Sequence, residues 1–311
     1  MPEFRMVLVG DCATQHLAQA ICGYGYEENI HIALLDTDYN QIMPQIMDQD
    51  SELYAWNADA VLIVMCAEKL YEAYCDEPAE GRADFAAKKA LEIKNYWRML
   101  KQAKDIKIMQ FNFPETDDKI FGNYGNRVKS SFIRQLRALN LQLMEMAEED
   151  GIYLIDASMV QNRMGRKLFH DPKLYYAAKM PFSTLALPEL AHEVMRVIQA
   201  IRARFKKCVV LDLDNTLWGG VVGDDGPEGI QIGELGTGHA FQSFQKWLKE
   251  LTLRGIILAV CSKNDEDKAK EDDIFNAIRN LSPEIVKQIL NAKSDEKSGI
   301  LKNALISLMN A

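Results

Sequence analysis

Short runs of apolar and β-branched residues alternate with helical patterns along most of the chain. The runs have the length of buried strands, and the segments between them carry apolar residues at helical spacing. This alternation restricts the fold, because strands joined through helices form a parallel sheet covered by those helices. The sequence therefore predicts an α/β domain with strands at Arg5–Val9, Ile30–Leu35, Ala60–Met65, Ile106–Phe111 and Ile152–Ile155.

Long amphipathic segments predict the main helices. Two of them, Asp84–Ala103 and Arg127–Glu149, repeat apolar residues at helical spacing and are expected to pack on the sheet. A third, Leu187–Phe205, ends beside a run of Arg and Lys that suits the negative end of a helix dipole. We place a domain boundary there, with a first domain at residues 1–205 and a second at residues 206–311.

Composition and charge exclude several classes of protein. The chain has 311 residues, of which 48% are hydrophobic, so it can bury the cores of two domains. A net charge of -9 argues against nucleic acid as a partner, because nucleic acid is itself a polyanion. No apolar run is long enough to span a bilayer and no leader precedes the first strand. We therefore expect a cytoplasmic protein without a membrane partner.

The cysteines are spread along the sequence without short paired spacings. Disulfide frameworks and zinc sites usually contain cysteine pairs at short spacings, so this pattern argues against both. We expect reduced thiols. The six cysteines are Cys12, Cys22, Cys66, Cys75, Cys208 and Cys261.

The second domain opens with a strand that ends in two carboxylates. The strand is predicted at Cys208–Leu213, followed by a helix at His239–Leu253 and a second strand at Ile256–Cys261. Of the carboxylates, Asp212 and Asp214, one can attack phosphorus to form an aspartyl phosphate, while the other protonates the leaving group and activates water. Mg²⁺ would screen the approach of the two anions. Taken alone, strand-end aspartates are equally compatible with turn and cap residues.

The wider string resembles the haloacid dehalogenase superfamily. Residues 209–218, VVLDLDNTLW, are similar to its first motif, and residues 259–265, AVCSKND, are similar to its second. The resemblance implies that Asp212 is the nucleophile, that Asp214 is the acid/base, and that Asp212 and the Asp214 carbonyl bind Mg²⁺. It also implies that Ser262, with Lys263 and Asn264 beside it, holds the phosphoryl group.

A closer resemblance is to the FkbH-like proteins, and it covers roughly Val7–Lys270. It is carried by residues 212–226, DLDNTLWGGVVGDDG, followed by residues 261–265, CSKND. Those proteins join an SGNH-hydrolase-like domain to a phosphotransfer domain. The resemblance implies two three-layer α/β domains with parallel sheets, an SGNH or flavodoxin-like one and then a capless Rossmannoid one. It also implies transfer of a glyceryl group from 1,3-bisphosphoglycerate to an acyl carrier protein in polyketide-type pathways, with dephosphorylation.

In the first domain, Gly10-Asp11-Cys12 stands where SGNH enzymes carry Gly-Asp-Ser. The resemblance makes Cys12 the nucleophile, and it makes Gly10 and Asn112 part of an oxyanion or acyl site. A thiol at a helix start is expected to have a lowered pKa, and His16 lies one helical turn further on. A thioester with glycerate is then chemically reasonable. A buried, inert cysteine is an equally good interpretation of Cys12.

The sequence departs from both families in places. An SGNH esterase also needs Asp-x-x-His, and Asp171-Pro172-Lys173-Leu174 lacks that histidine, so free esterase activity is not expected. A surface or packing role is favoured for the nearby His170 and His192. The third and fourth phosphotransfer motifs are not clear in this sequence. Lys297 is the best candidate for the phosphate-holding lysine of the third motif, although a solvated helix lysine is the simpler interpretation. After about residue 270 the second domain is expected to be truncated or divergent.

Three functional hypotheses follow from these residues. The first is an FkbH-like enzyme that cleaves a phosphoryl group through Asp212 and Asp214 and captures an acyl group on Cys12 for a carrier protein. The second is a catalytically impaired module that docks a carrier protein or partner enzyme. The third is a stand-alone magnesium-dependent phosphatase, for which the first domain has no chemical role.

Overall fold

The computed structural model describes residues 1–116 and 118–260. The chain divides into two compact units, Met1–Ala203 and a second from Arg204 onward, and each is described by itself. Several residues predicted from sequence lie outside the described residues: Ser262, Lys263, Asn264 and Lys297.

The first unit is built on a sheet of five parallel strands in the order β2-β1-β3-β4-β5. Every strand overlaps a strand predicted from the sequence, because each is a short apolar run that the sheet buries. The α/β fold class with a parallel sheet is thereby confirmed. The strands are β1 Glu3–Gly10, β2 His31–Asp36, β3 Ala60–Val64, β4 Lys107–Phe111 and β5 Tyr153–Ile155.

Helices cover both faces of this sheet. Side chains alternate between the faces along β1, so that Met6 and Leu8 enter one apolar core while Val7 and Val9 enter the other. The first core is closed by α1 and α7 to α10, and the second by α2 to α6. The helices are α1 Gln15–Glu27, α2 Ile42–Met47, α3 Glu52–Ala55, α4 Ala67–Asp76, α5 Phe85–Ala103, α6 Phe132–Asp150, α7 Ala157–Met164, α8 Arg166–Phe169, α9 Pro172–Ala178 and α10 Ala186–Ile201.

The two largest differences from the predicted helix boundaries are at the start of α6 and the end of α10. Helix α6 begins at Phe132 rather than Arg127, because Ser131 is extended and its hydroxyl donates to the carbonyl of Gly125 at 2.6 Å. Helix α10 ends at Ile201, four residues early, and Ala203 has a positive φ of 53° that a helix cannot contain. Local side-chain and backbone geometry therefore overrides the apolar pattern at these ends.

The second unit begins with two parallel strands, β6 Cys208–Leu211 and β7 Ile257–Val260, joined through helices α11 Val222–Gly229 and α12 Gly236–Leu251. Its described core is a small apolar cluster. Among the described residues, no helix is both long enough and apolar enough to cross a membrane. The cluster contains Leu211, Leu213, Leu217, Trp218, Leu248 and Leu258.

Candidate functional site

The ends of β1 and β3 bring two cysteines and an aspartate together. Gly10 and Val64 are paired across these neighbouring strands, and Cys12 and Cys66 each follow two residues later. The amide of Cys66 donates to Asp11 Oδ1 at 2.9 Å, which ties the two loops to each other. A carboxylate oxygen of Asp11 and the two Sγ atoms all lie within 4.8 Å of one another. We call Asp11, Cys12 and Cys66 the strand-end cluster.

The expected lowering of the pKa of Cys12 is wrong. Helix α1 begins at Gln15, so Cys12 precedes the helix start and is only 2% exposed. A hydrogen bond to Cys66 and then burial raise the pKa of the Cys12 thiol well above its ordinary value. At neutral pH Cys12 is therefore a thiol and needs a proton acceptor before it can act as a nucleophile.

Cys66 differs electrostatically from Cys12. It is the N-cap of α4, where its Sγ accepts a hydrogen bond from the backbone amide of Lys69 at 3.4 Å. The hydrogen bond with Cys12 lowers the pKa of Cys66. Burial and the carboxylates of Asp11 and Glu68 raise that pKa by more, so the net change is upward. The thiol–thiol hydrogen bond thus favours ionisation of Cys66 over that of Cys12.

Asp11 is the carboxylic acid of the strand-end cluster, and it is half-buried. Burial raises the pKa of its carboxyl from 3.8 to about 7, although hydrogen bonds from Cys66 partly oppose the change. A carboxyl with this pKa is well suited to take up or release a proton at neutral pH.

A partly buried histidine, for which the sequence favoured a surface or packing role, lies beside this cluster. His170 Nδ1 is 3.2 Å from Glu68 Oε1 and 2.8 Å from the carbonyl oxygen of Pro181. Burial raises the pKa of Glu68, and His170 and Arg166 partly offset that rise. The same three side chains line a small cleft, of about 280 Å³ including open solvent. Glu68 had no sequence motif to reveal it beyond its place two residues after Cys66.

The remaining predicted groups of the first unit have other contacts. Asn112 donates to Asp156 at 2.8 Å and accepts from the amide of Ser158 at 3.1 Å, so its amide joins β4 to the start of α7. Its role as an oxyanion donor stays a prediction. His16 is exposed and contacts Gln19, so it is not part of the strand-end cluster.

Gly10 is required by close packing. A Cβ atom built there would lie 2.7 Å from the methyl carbon of Thr14 and 3.2 Å from the carbonyl oxygen of Cys12. The absence of a side chain lets β1 turn directly into the loop that carries Cys12. The structure thus gives Gly10 a steric role next to the cluster.

In the second unit, the two carboxylates follow β6 directly. Asp212 is exposed, and its Oδ1 accepts the backbone amide of Leu213 at 2.8 Å. Asp214 is half-buried, and its Oδ1 accepts the indole N–H of Trp218 at 3.1 Å. Asn215, with a positive φ of 53°, turns the chain between Asp214 and Trp218. One carboxylate is therefore open to a ligand while the other is held by a buried ring.

The loop after the motif runs from Gly219 to Gln231. Only a single antiparallel bridge forms, in which Gly219 and Gln231 exchange two backbone hydrogen bonds of 3.1 and 2.7 Å. Between them the chain forms α11, which contains a kink at Gly226. The buried Gln245 of α12 donates to the carbonyl of Leu217 at 2.6 Å and fixes the turn from beneath.

One sequence-family model and several solved structures are similar to this chain. Residues 5–199 match the family described as FkbH, N-terminal domain. The chain is 39% identical to the N-terminal part of the protein BF1531 from Bacteroides fragilis, a structure that contains a phosphatase domain and is complexed with Mg. That similarity covers 89% of this chain and 72% of the other, with a TM-score of 0.81.

More distant structures resemble the chain weakly. A lipase/acylhydrolase from Enterococcus faecalis has 14% identity and a TM-score of 0.42, over 64% of this chain and 96% of its own. The lipase Lip_vut3 from a goat rumen metagenome has 10% identity and a TM-score of 0.46, over 63% and 97%. A search of curated proteins found no match. The family match and the Bacteroides structure show that the chain belongs to the FkbH family.

Proposed function

We propose that the chain transfers a glyceryl-type acyl group from a phosphorylated three-carbon acid, such as 1,3-bisphosphoglycerate, to an acyl carrier protein and removes phosphate. The observation that carries this proposal is the pair Asp212 and Asp214 at the end of β6, in a chain 39% identical to a phosphatase-domain protein. Asp212 is exposed and directly follows β6, at the edge of a parallel sheet where ligands bind in α/β folds.

The carboxylates suit Mg²⁺, because hard oxygen ligands are those that this ion prefers. Asp212 and Asp214 would hold it, and the bound ion would supply positive charge to the phosphoryl oxygens. The Bacteroides relative was crystallised in complex with Mg, which supports the same cofactor here. In this proposal Asp212 attacks the phosphorus of the phosphate ester rather than that of the acyl phosphate, and Asp214 protonates the ester oxygen that leaves. Asp214 then takes a proton from the water that hydrolyses the aspartyl phosphate and releases phosphate.

Acyl capture is assigned to Cys12. Its Sγ would attack the acyl phosphate carbon, form a thioester and release phosphate. Because the pKa of Cys12 is raised, the thiol must first give up its proton, and Cys66 and Asp11 are the adjacent groups in the strand-end cluster. Asp11, with a pKa of about 7, can accept that proton near neutral pH.

The test is phosphate release from 1,3-bisphosphoglycerate with Mg²⁺ and a carrier protein, combined with intact-mass analysis. We expect Asp212→Asn to abolish the magnesium-dependent release, and we expect a glyceryl adduct on the unmodified chain that Cys12→Ala lacks. Cys75→Ala is the matched control, because Cys75 is an exposed thiol of α4 away from the described cluster. No release at any magnesium concentration would contradict the catalytic proposal and favour a docking module.

The experiment also separates the stand-alone phosphatase. That enzyme would release phosphate from small substrates through Asp212 without a carrier protein, and Cys12→Ala would retain full activity with no acyl adduct in either protein. An adduct on Cys12 that disappears when a carrier protein is added would instead support delivery of the acyl group.

A further inference from the structure

We propose that Asp11, Cys12 and Cys66 form a binding site for a thiophilic divalent cation, with zinc as the ion of choice. The spacing of the cysteines in the sequence argued against a zinc site, because Cys12 and Cys66 lie on separate strands. The fold reverses that argument, since β1 and β3 are neighbours and Gly10 pairs with Val64. Each thiol therefore lies two residues beyond a member of this strand pair, at the same edge of the sheet.

The donor set selects the ion. Two sulfur atoms and one carboxylate oxygen suit Zn²⁺, whereas Mg²⁺ and Ca²⁺ prefer oxygen alone. Around a tetrahedral zinc ion, with bonds of about 2.0 to 2.3 Å, adjacent donor atoms lie roughly 3.3 to 3.8 Å apart. The three donors already lie within 4.8 Å of one another, so a small movement of the side chains would close them on an ion. The fourth position would remain for water or another ligand.

The backbone around the cluster would hold these donors in place. The amide of Cys66 donates to Asp11 Oδ1 at 2.9 Å, which orients the carboxylate towards the two cysteines. The amide of Lys69 donates to Cys66 Sγ, a contact that also stabilises a thiolate. Hydrogen bonds of this kind to first ligands are a general feature of zinc sites in proteins. Asp11 is the half-buried member, so an ion would reach the thiols past it.

This zinc site does not require that the chain transfers an acyl group, but zinc bound there would affect that transfer. An ion bound to Cys12 Sγ would occupy the atom assigned to acyl capture, so zinc and the acyl group would exclude each other. Zinc would then inhibit the formation of a thioester without affecting phosphate release through Asp212.

The closing experiment measures binding directly on the full chain, after reduction and treatment with a chelator. Co²⁺ is titrated as a spectroscopic substitute, and a thiolate-to-cobalt charge-transfer band that zinc then abolishes is the expected result. Zinc retained after dialysis should amount to one ion per chain more than in the variant Cys66→Ser. We expect Cys12→Ser or Cys66→Ser to weaken zinc binding more than about 100-fold, beyond the loss typical of changes outside the first ligands. Cys75→Ser should bind zinc as the unmodified chain does.

Two results would overturn the proposal. One is the absence of the charge-transfer band in a protein whose thiols are all reduced. The other is X-ray absorption of the zinc-loaded chain that shows fewer than two sulfur neighbours, a measurement that needs no variant and so is independent of any effect of substitution on folding. Either result would leave the proposed acyl transfer untouched, because neither uses activity as its readout.

Discussion

Replacing Asp11 by Asn should remove a pH dependence from the stability of the first unit. Burial raises the pKa of this carboxyl from 3.8 in the unfolded chain to about 7 in the folded protein. The folded state therefore binds a proton that the unfolded state has lost across this range. Stability contributed by the protonated carboxyl is complete below pH 3.8 and is lost as the pH rises to about 7. Asn keeps an oxygen that can accept the amide of Cys66 and has no charge to bury.

The size of the effect follows from the pKa difference. One pKa unit corresponds to about 1.4 kcal/mol, so the whole change is on the order of 4 kcal/mol. Roughly 2.5 kcal/mol of it falls between about pH 5 and pH 8, and this is an upper bound because Asp11 is half-buried rather than enclosed. The unmodified chain should therefore lose up to this amount relative to Asp11→Asn as the pH is raised.

Hydrogen exchange in urea is the suitable assay, because the protein has two units and a single unfolding curve would combine them. Peptides from β1 and β3 report the first unit, and a chelator is kept in the buffer. The free energy of opening is compared between the two proteins at each pH, so that other titrating groups cancel. A difference that stays constant from about pH 5 to pH 8, or that grows in the opposite direction, would refute the reasoning about burial.

Three further substitutions test packing around the two sites. Gly10→Ala should destabilise the first unit by about 1 to 3 kcal/mol, because the new methyl group would lie 2.7 Å from a threonine methyl. Gln245→Ala should cost the second unit about 1 to 3 kcal/mol, because it leaves the carbonyl of Leu217 without its side-chain donor, and hydrogen exchange across residues 213–218 measures the loss. Trp97→Phe should cost the first unit a similar amount, because the buried Gln110 loses the indole N–H that it accepts at 3.1 Å, and hydrogen exchange across residues 107–111 measures the loss.

Each of these has an outcome that contradicts it. Unchanged hydrogen-exchange protection of peptides from β1 in Gly10→Ala would mean that the loop moves aside without strain. Protection across residues 213–218 that is equal in Gln245→Ala and the unmodified chain would show that water replaces the amide. For Trp97→Phe, an undiminished stability would mean that Gln110 finds another donor in the core.

Much of the fold could be predicted because its signal is local. Each strand of the first sheet is a short apolar run, and burial of both faces makes such runs nearly continuous. The start of α6 could not be placed, because the apolar pattern continues across Ser131 while the serine hydroxyl bonds Gly125 and sets the entry to the helix. Helix ends depend on these side-chain contacts rather than on periodicity.

The candidate sites divide in the same way. Asp212 and Asp214 could be found because they are adjacent in sequence and follow one strand. The contact of Cys12 with Cys66 depends on β1 lying next to β3, and no pattern in the sequence states that order. The pairing of Glu68 with His170 likewise joins the start of α4 to the residue after α8. The pKa of Cys12 was mispredicted because its proximity to a helix start reveals neither the hydrogen bond to Cys66 nor the extent of its burial.

The hydrogen bond from Trp218 to Asp214 gives the second unit an optical probe of its own chemistry. Indole emission depends on the charge that its N–H meets, and this ring is 1% exposed, so bulk water does not mask the change. Any event that alters the charge at Asp214, whether a cation arriving or a proton moving, should change the emission of Trp218. In a chain whose other tryptophans, Trp56, Trp97 and Trp247, are replaced by Phe, single turnovers could be followed without a label.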